Sequence, residues 1–576
     1  MVSDGRRAFA QTERAAWLAG ASAVAVVCAV IPAHAQEAPT PPAAQAGAAP
    51  ASEGEQLRFD VMEYVVRGNS VLAAADIQTV LMPFAGFDKT VPDVEAARAA
   101  LEKAYRDRGY ATIVVEVPQQ DVSSGVLELN VTEGRVGRVR VTGADFVLPS
   151  EVKGALPSLK PGAVPNVPVL QQELSSANAR TTRSITPEFK AGAAPGTVDI
   201  DLAVEDRRPW GASVELSDQY NRSTERLRLS ASVNYDNLWQ AGHSANLFFQ
   251  TAPQDFNQVQ VISGSYFAPL GYSRSSLLGY VVNSNTDVAT VGGLTVLGNG
   301  LTVGARFMRT LGGSPEGTVQ SLLFGVDYKD YLDQIGLIDP ETGETLTFDT
   351  PVKYLPFTAQ YRWLGGNVRR NSEFTIGMTF AFEGVVGKQS QFGGQPDNPL
   401  TPNINEYGPG KRAGAEASFM YLHGSGSYNR QLAKGFDFRL AVDWQLAPAP
   451  LISNEQFVLG GVGSIRGYRE AEALGDSGAR VSAEVGYKVP LGNGIDWRVA
   501  AFVEGGYAWI ENPLPEEETK FILGSAGLTT KFDLYKYLYG QFDLAYQFDA
   551  DPTKSGQPVQ DDLGGMRAHF KIGLKY

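Results

Sequence analysis

From Trp210 to the C-terminus the chain alternates apolar and polar residues with hardly a break. In RLRLSASVNYD, Leu227, Leu229, Ala231, Val233 and Tyr235 share one parity, and Arg226, Arg228, Ser230, Ser232 and Asn234 share the other. FDFRLAVDWQL sets Phe436, Phe438, Leu440, Val442, Trp444 and Leu446 against Asp437, Arg439, Asp443 and Gln445. The final MRAHFKIGLKY repeats the pattern, with Met566, Ala568, Phe570, Ile572, Leu574 and Tyr576 opposite Arg567, His569, Lys571 and Lys575. Because successive strand side chains point to opposite faces, period two predicts a long succession of two-faced β-strands. Segmentation gives about sixteen, the eighth beginning near 352 and the tenth near 415.

Two-faced strands suit either a soluble sandwich or a transmembrane barrel, and the connections discriminate between them. Even-numbered strands end in tight links such as LAKG, PLGNG and DLYKY, whereas odd-numbered strands end in long ones such as GKQSQFGGQPDNPLTPNINEYGPGKRA. Long and short links in alternation, with an even count, predict a closed antiparallel barrel over 208–576 with both ends on the periplasmic side. About ten residues per strand at ~3.3 Å, tilted near ~40°, span roughly 25 Å, the height of an outer-membrane apolar band. Sixteen strands also predict a water-filled lumen rather than a side-chain core.

Ahead of the strands the period changes. LRFDVMEYVVRGN reads as strand and turn, AAADIQTVLMPF as a short helix, and DVEAARAALEKAYRDRGY as an amphipathic helix; ATIVVEVP and GVLELNVTEG follow as strands. The order β-α-α-β-β recurs once, which predicts two tandem α+β modules over 57–134 and 135–207. Residues 1–35 join Arg6, Arg7 and Arg14 to an apolar run and the small-x-small Ala33-His34-Ala35, a secretory signal; the alternative is an uncleaved anchor. Residues 36–56 are rich in Ala and Pro and read as a tether.

Composition narrows the function classes. The net charge of −14 argues against a nucleic-acid partner, and the one cysteine, Cys28, lies within the signal, which leaves no disulfide and no thiolate metal site. His243, His423 and His569 lack metal-ligand spacing and belong to no nucleophile constellation, so neither an enzyme nor a metal or other cofactor is expected. Gly410-Lys411 is followed by Arg412 and lacks phosphate-loop spacing.

The loop after the eleventh strand, about 447–478, contains GGVGSIRGYRE and is too apolar and glycine-rich for a purely solvated loop. Gly460, Gly461, Gly463 and Gly467 permit a hairpin folded back into the lumen, where Arg466 requires an acidic partner. On the thirteenth strand, parity places Trp497, Val499, Ala501, Val503, Tyr507 and Trp509 outward and Phe502, Glu504 and Gly506 inward. A carboxylate facing lipid is costly, so Glu504 is assigned to the lumen and to Arg466.

At these residues the chain resembles the two-partner secretion transporters, the TpsB family of haemolysin secretion/activation proteins within the BamA-like outer-membrane superfamily. The V-R-G-Y loop signature corresponds to Ile465-Arg466-Gly467-Tyr468, and F-x-D-x-G corresponds to Phe502-Val503-Glu504-Gly505-Gly506. The resemblance implies a signal peptide, two periplasmic POTRA modules and a sixteen-stranded transmembrane β-barrel. It further implies a loop-to-lumen lock between Arg466 and Glu504, and export of a large partner exoprotein, received unfolded. Assembly in the lipid bilayer would use the barrel-assembly machinery and periplasmic chaperones, with Tyr576 as the assembly signal. Many relatives carry an N-terminal plug helix, for which the proline-broken 36–56 is poorly suited. A BamA- or TamA-like insertase is the alternative function, and a passive porin a weaker one.

Overall fold

The computed structural model describes residues 58–576, apart from 179–182, 272–273, 287, 292–293, 298, 315–316, 339–344, 368, 394–403, 406–407, 493, 514–518 and 549–564. The expected signal, the tether and its expected lack of a plug helix lie outside the described residues. Two compact units divide at Arg207–Arg208.

The first unit contains two modules of β-α-α-β-β order. In the first, Glu63–Arg67 runs parallel to Val126–Glu133, which pairs antiparallel with Ile113–Glu116 on its other side. Helix Val91–Asp107 buries Val94, Ala97, Leu101, Ala104 and Tyr105, the three-and-four spacing that turns one face toward a sheet. It begins where the Thr90 backbone N–H donates to Asp93 (2.8 Å) and ends at Gly109 with φ +92°, a start and stop that both lie in the sequence. Hydrogen bonds from the Thr90 hydroxyl and N–H hold the Asp93 carboxyl below the usual carboxylate range. A short pairing of Phe59–Val61 with Gly86–Lys89 adds an element that periodicity did not reveal, because three or four residues are too few to show a period. In the second module, Thr197–Asp206 lies between parallel Arg135–Thr142 and antiparallel Arg183–Ala191. Helices Pro149–Gly154 and Val167–Asn178 contribute Val152 and Leu170 to its core.

The second unit is a closed antiparallel barrel of sixteen strands, from Trp210–Ser217 to Met566–Lys575. The eighth strand is in two parts, Thr345–Tyr354 and Phe357–Gly366, both paired with the long seventh strand Thr318–Ile338. The break falls at Leu355-Pro356, since proline has no N–H for the ladder. This strand therefore starts at 345 rather than near 352, and the tenth, Met420–Gln431, starts at 420 rather than near 415. The connection after the third strand is also tighter than expected, as only Pro253 and Gln254 separate Ala252 from Asp255. The seam joins the first and last strands from Ser213–Lys575 to Ser217–Lys571, and Tyr576 extends it by exchanging backbone hydrogen bonds with Ala212 (2.9 and 3.2 Å).

Side-chain parity follows the sequence pattern. On the sixteenth strand Arg567, His569 and Lys571 are buried, whereas Met566, Ile572 and Leu574 are exposed. On the thirteenth, Ile495–Trp509, Phe502 and Glu504 are buried, whereas Val499, Val503 and Tyr507 are exposed. An exposed apolar belt of this kind requires lipid around it. Val503→Arg is accordingly expected to destabilise the barrel by about 2–4 kcal/mol if the position is near the bilayer midplane, read as a lower unfolding midpoint in lipid or detergent. An unchanged midpoint would place Val503 away from the bilayer midplane.

One sector of the lumen departs from the expectation of an aqueous channel. Inward-facing Val259, Val261, Tyr331, Val352 and Tyr354 pack against Phe392 and Phe419 of the connection after the ninth strand and Leu451 and Ile452 of the connection after the eleventh. Alternation along a strand cannot reveal this core, because the residues that cover these side chains belong to distant connections.

Candidate functional site: a loop clamped inside the barrel

The loop between the eleventh strand, Phe436–Leu446, and the twelfth, Ser477–Val489, folds inward: from 449 to 478 no residue is exposed. Phe457–Leu459 pairs with Ala473–Gly475 to make a hairpin, and its tip carries the Ile465-Arg466-Gly467-Tyr468 motif. Gly460, Gly461 and Gly467 adopt φ of +98°, +102° and +98°, which side chains rarely tolerate; Gly463 is not among the positive-φ residues. Gly467 also lies so near the wall that an added Cβ would stand 3.0 Å from the Ala545 Cβ.

Arg466 is 4% exposed and its guanidinium meets three carboxylates. Nη2 is 2.5 Å from Glu504 Oε1 and 2.9 Å from Glu484 Oε1, and Nη1 is 3.5 Å from Asp543 Oδ1. The Arg466 backbone N–H donates to the other Glu504 oxygen (2.7 Å), so one glutamate fixes both the main chain and the side chain of the arginine. The Ser482 hydroxyl donates to Glu504 as well (2.9 Å), and the Phe502 ring lies 3.6 Å beneath the guanidinium carbon. Arg466 belongs to a connecting loop rather than to a spanning strand. Burial alone would lower its pKa, but Glu504 and its acidic neighbours outweigh burial and hold it above the usual arginine value.

Around the charge the motif packs tightly. Ile465 and Tyr468 join Leu459, Ala473 and Ala508 in a buried cluster. The inward faces of the fourteenth strand, Lys520–Leu534, and the fifteenth, Leu538–Gln547, carry small Ser525 and Ala545 where Gly467 docks. Gly467 N–H donates to His569 Nε2 (3.2 Å), and Tyr468 donates its hydroxyl to the Gly524 carbonyl (3.1 Å). Gly506 leaves the space that Ile465 and Leu459 occupy, since a Cβ there would meet each at 2.7 Å.

Sequence reasoning paired Arg466 with Glu504 and missed Glu484, Asp543 and the Gly467–His569 contact. The first two carry a readable signal, as each is a carboxylate at inward parity on a two-faced strand. Their convergence on one arginine depends on inter-strand register, Glu484 lying opposite Phe502 and Asp543 opposite His569. Tyr576 is separate from this cluster, at the barrel end beside Trp210, with ring centroids 4.8 Å apart.

Comparison with known proteins gives these features a context. Residues 59–134 match the POTRA domain, ShlB-type. Residues 196–331 and 372–530, just over half of the chain, match the haemolysin secretion/activation protein family ShlB/FhaC/HecB. The outer membrane transporter CdiB of Escherichia coli is 23% identical over 82% of this chain and 76% of its own length. The heme/hemopexin transporter protein HuxB of Haemophilus influenzae is 19% identical over 76% of this chain and 74% of its own. The solved structure of CdiB from Escherichia coli superposes with a TM-score of 0.62 at 17% identity, covering 100% of this chain and 98% of that one. CdiB from Acinetobacter baumannii gives 0.53 at 17% identity, covering 91% of each. With its POTRA module, its closed sixteen-strand barrel and these matches, the chain belongs to the ShlB/FhaC/HecB family, the TpsB-type, BamA-like transporters of the outer membrane whose POTRA modules lie in the periplasm.

Proposed function

We propose that this transporter takes up one unfolded partner exoprotein at its POTRA modules and threads it, extended, through the barrel to the cell surface. The observation that carries the reading is a lumen occupied by the protein's own loop, held at its tip by a buried ion cluster rather than by the strand ladders of the wall. Such an occupant can be displaced without dismantling the barrel. A folded domain of about 100 residues has a radius of gyration near ~13 Å, too wide for a lumen shared with that loop, so the cargo passes as extended chain. Capture needs main-chain contacts that are indifferent to sequence, and β-augmentation supplies them. Glu63–Arg67 and Ile113–Glu116 are the edge strands of the first module's sheet, and Arg135–Thr142 and Arg183–Ala191 those of the second. Biogenesis would use the barrel-assembly machinery and periplasmic chaperones, with the exposed C-terminal Tyr576 as its signal.

A photo-crosslinkable residue at Val114 and another at Phe189, both exposed on edge strands, test the reading in cells that secrete the partner. Crosslinks to one secreted polypeptide, and to no others, are expected. Crosslinks to many unrelated outer-membrane proteins would favour an insertase, and undiminished export with no crosslink at either site would refute capture at these edges.

A further inference from the structure

The Arg466 cluster ties the loop tip to the twelfth, thirteenth and fifteenth strands, with His569 adding the sixteenth. A second buried carboxylate, far from it in the wall, ties down the loop root. Glu455 is 5% exposed and accepts hydrogen bonds from the Tyr354 hydroxyl (2.6 Å) and the Tyr421 hydroxyl (2.8 Å), and it pairs with the Lys329 ammonium. Those three residues come from the eighth, tenth and seventh strands. Gln445 on the eleventh donates to the Glu455 carbonyl (2.9 Å). The same tyrosine, Tyr354, forms edge contacts with Phe392 and Phe419 of the connection after the ninth strand (centroids 5.5 and 6.0 Å). That connection is bound to the loop root by Asp476, which is fully buried and accepts from Arg412 Nη2 (3.0 Å), from the Leu451 N–H (2.9 Å) and from Gln456 Nε2 (3.0 Å).

We propose that Glu455 is the positioning residue of a second closure, formed by the described parts of the connection after the ninth strand, around Phe392 and Phe419, and the root of the connection after the eleventh. This closure seals the long-loop end of the lumen independently of Arg466. Three arguments support it. The two clamps draw on different wall strands, so losing one leaves the other's partners in place. The cluster that holds Tyr354, a partner of Glu455, is apolar, with Phe392, Leu451 and Ile452 at 0%, 2% and 1% exposure, and a lumen sector filled in this way excludes water and ions until it is displaced. The Glu455 carboxylate is also the ion-pair partner of Lys329, so its removal weakens the compensation of a buried ammonium and favours release of the root. The proposal rests on the reading that the lumen is the export path: an extended cargo would then have to displace both closures, tip and root, in turn.

Single-channel conductance of the full-length protein in planar bilayers tests the proposal without cargo. Glu455→Ala, with Arg466 intact, is expected to raise conductance or open probability several-fold. Phe392→Asp, which removes a ring packed on Tyr354 but none of the residues bonded to Glu455, is expected to do the same and serves if Glu455→Ala fails to assemble. Combining either with Arg466→Ala should open the pore further than any single change. Heat-modifiable mobility on gels identifies the folded channels to be compared. Folded Glu455→Ala and Phe392→Asp channels that conduct like the parent would overturn the second closure, as would an Arg466→Ala channel as open as the combinations. Because no exported protein enters this measurement, its failure would leave the transport reading standing, and loss of the edge-strand crosslinks would leave the second closure standing.

Discussion

Arg466→Ala is expected to leave the barrel assembled in the outer membrane while the partner polypeptide largely disappears from the medium. The substitution removes the one cation that Glu504, Glu484 and Asp543 share, and it does so where all three carboxylates are buried. Breaking such a cluster from one side costs about 3–5 kcal/mol, because Glu504 and Asp543 are left buried without Arg466 and cannot regain water, although Glu484 keeps Arg498 (2.9 Å). At ~1.4 kcal/mol per tenfold, that shifts the docked loop toward release by roughly a hundredfold or more. The barrel strands make their ladders without this loop, so assembly persists. Arg466→Lys should fall between the two, since an ammonium lacks the planar fork that reaches Glu504 and Glu484 together. Immunoblots of medium and of heat-modifiable outer-membrane protein check both halves of the prediction. Secretion at the parental level would remove Arg466 from the mechanism.

The adjacent glycines of the thirteenth strand supply a second large effect with an internal control. Gly506→Leu directs a side chain into the space held by Ile465 and Leu459, each 2.7 Å from the Cβ position, and the hairpin tip must move. Overpacking of this kind costs about 1–3 kcal/mol within a rigid core, and here the movable partner is the loop itself. Export is expected to drop several-fold, with faster proteolysis of the 447–476 loop. Gly505→Leu, one residue earlier, points outward and meets nothing nearer than the Leu523 carbonyl at 4.0 Å, so export should stay within about twofold of the parent. Equal effects from the two would refute the assignment of inner and outer faces on this strand.

The alternating pattern of 208–576 determined by itself the number of barrel strands and which face of each meets lipid, since strand side chains alternate with a period of two wherever the strand sits. The parity of Glu504 and the glycines around Arg466 made one acid–base pair legible as well. The rest was decided by tertiary structure. Glu484 and Asp543 reach Arg466 only because strand register brings separate positions to one height, and no local pattern encodes register between strands. The apolar sector around Tyr354 and the Glu455 clamp depend on which long connection folds into which part of the lumen. Such a choice is made by packing between residues far apart in the chain, where a valine at inward parity reads the same whether water or a returning loop will cover it.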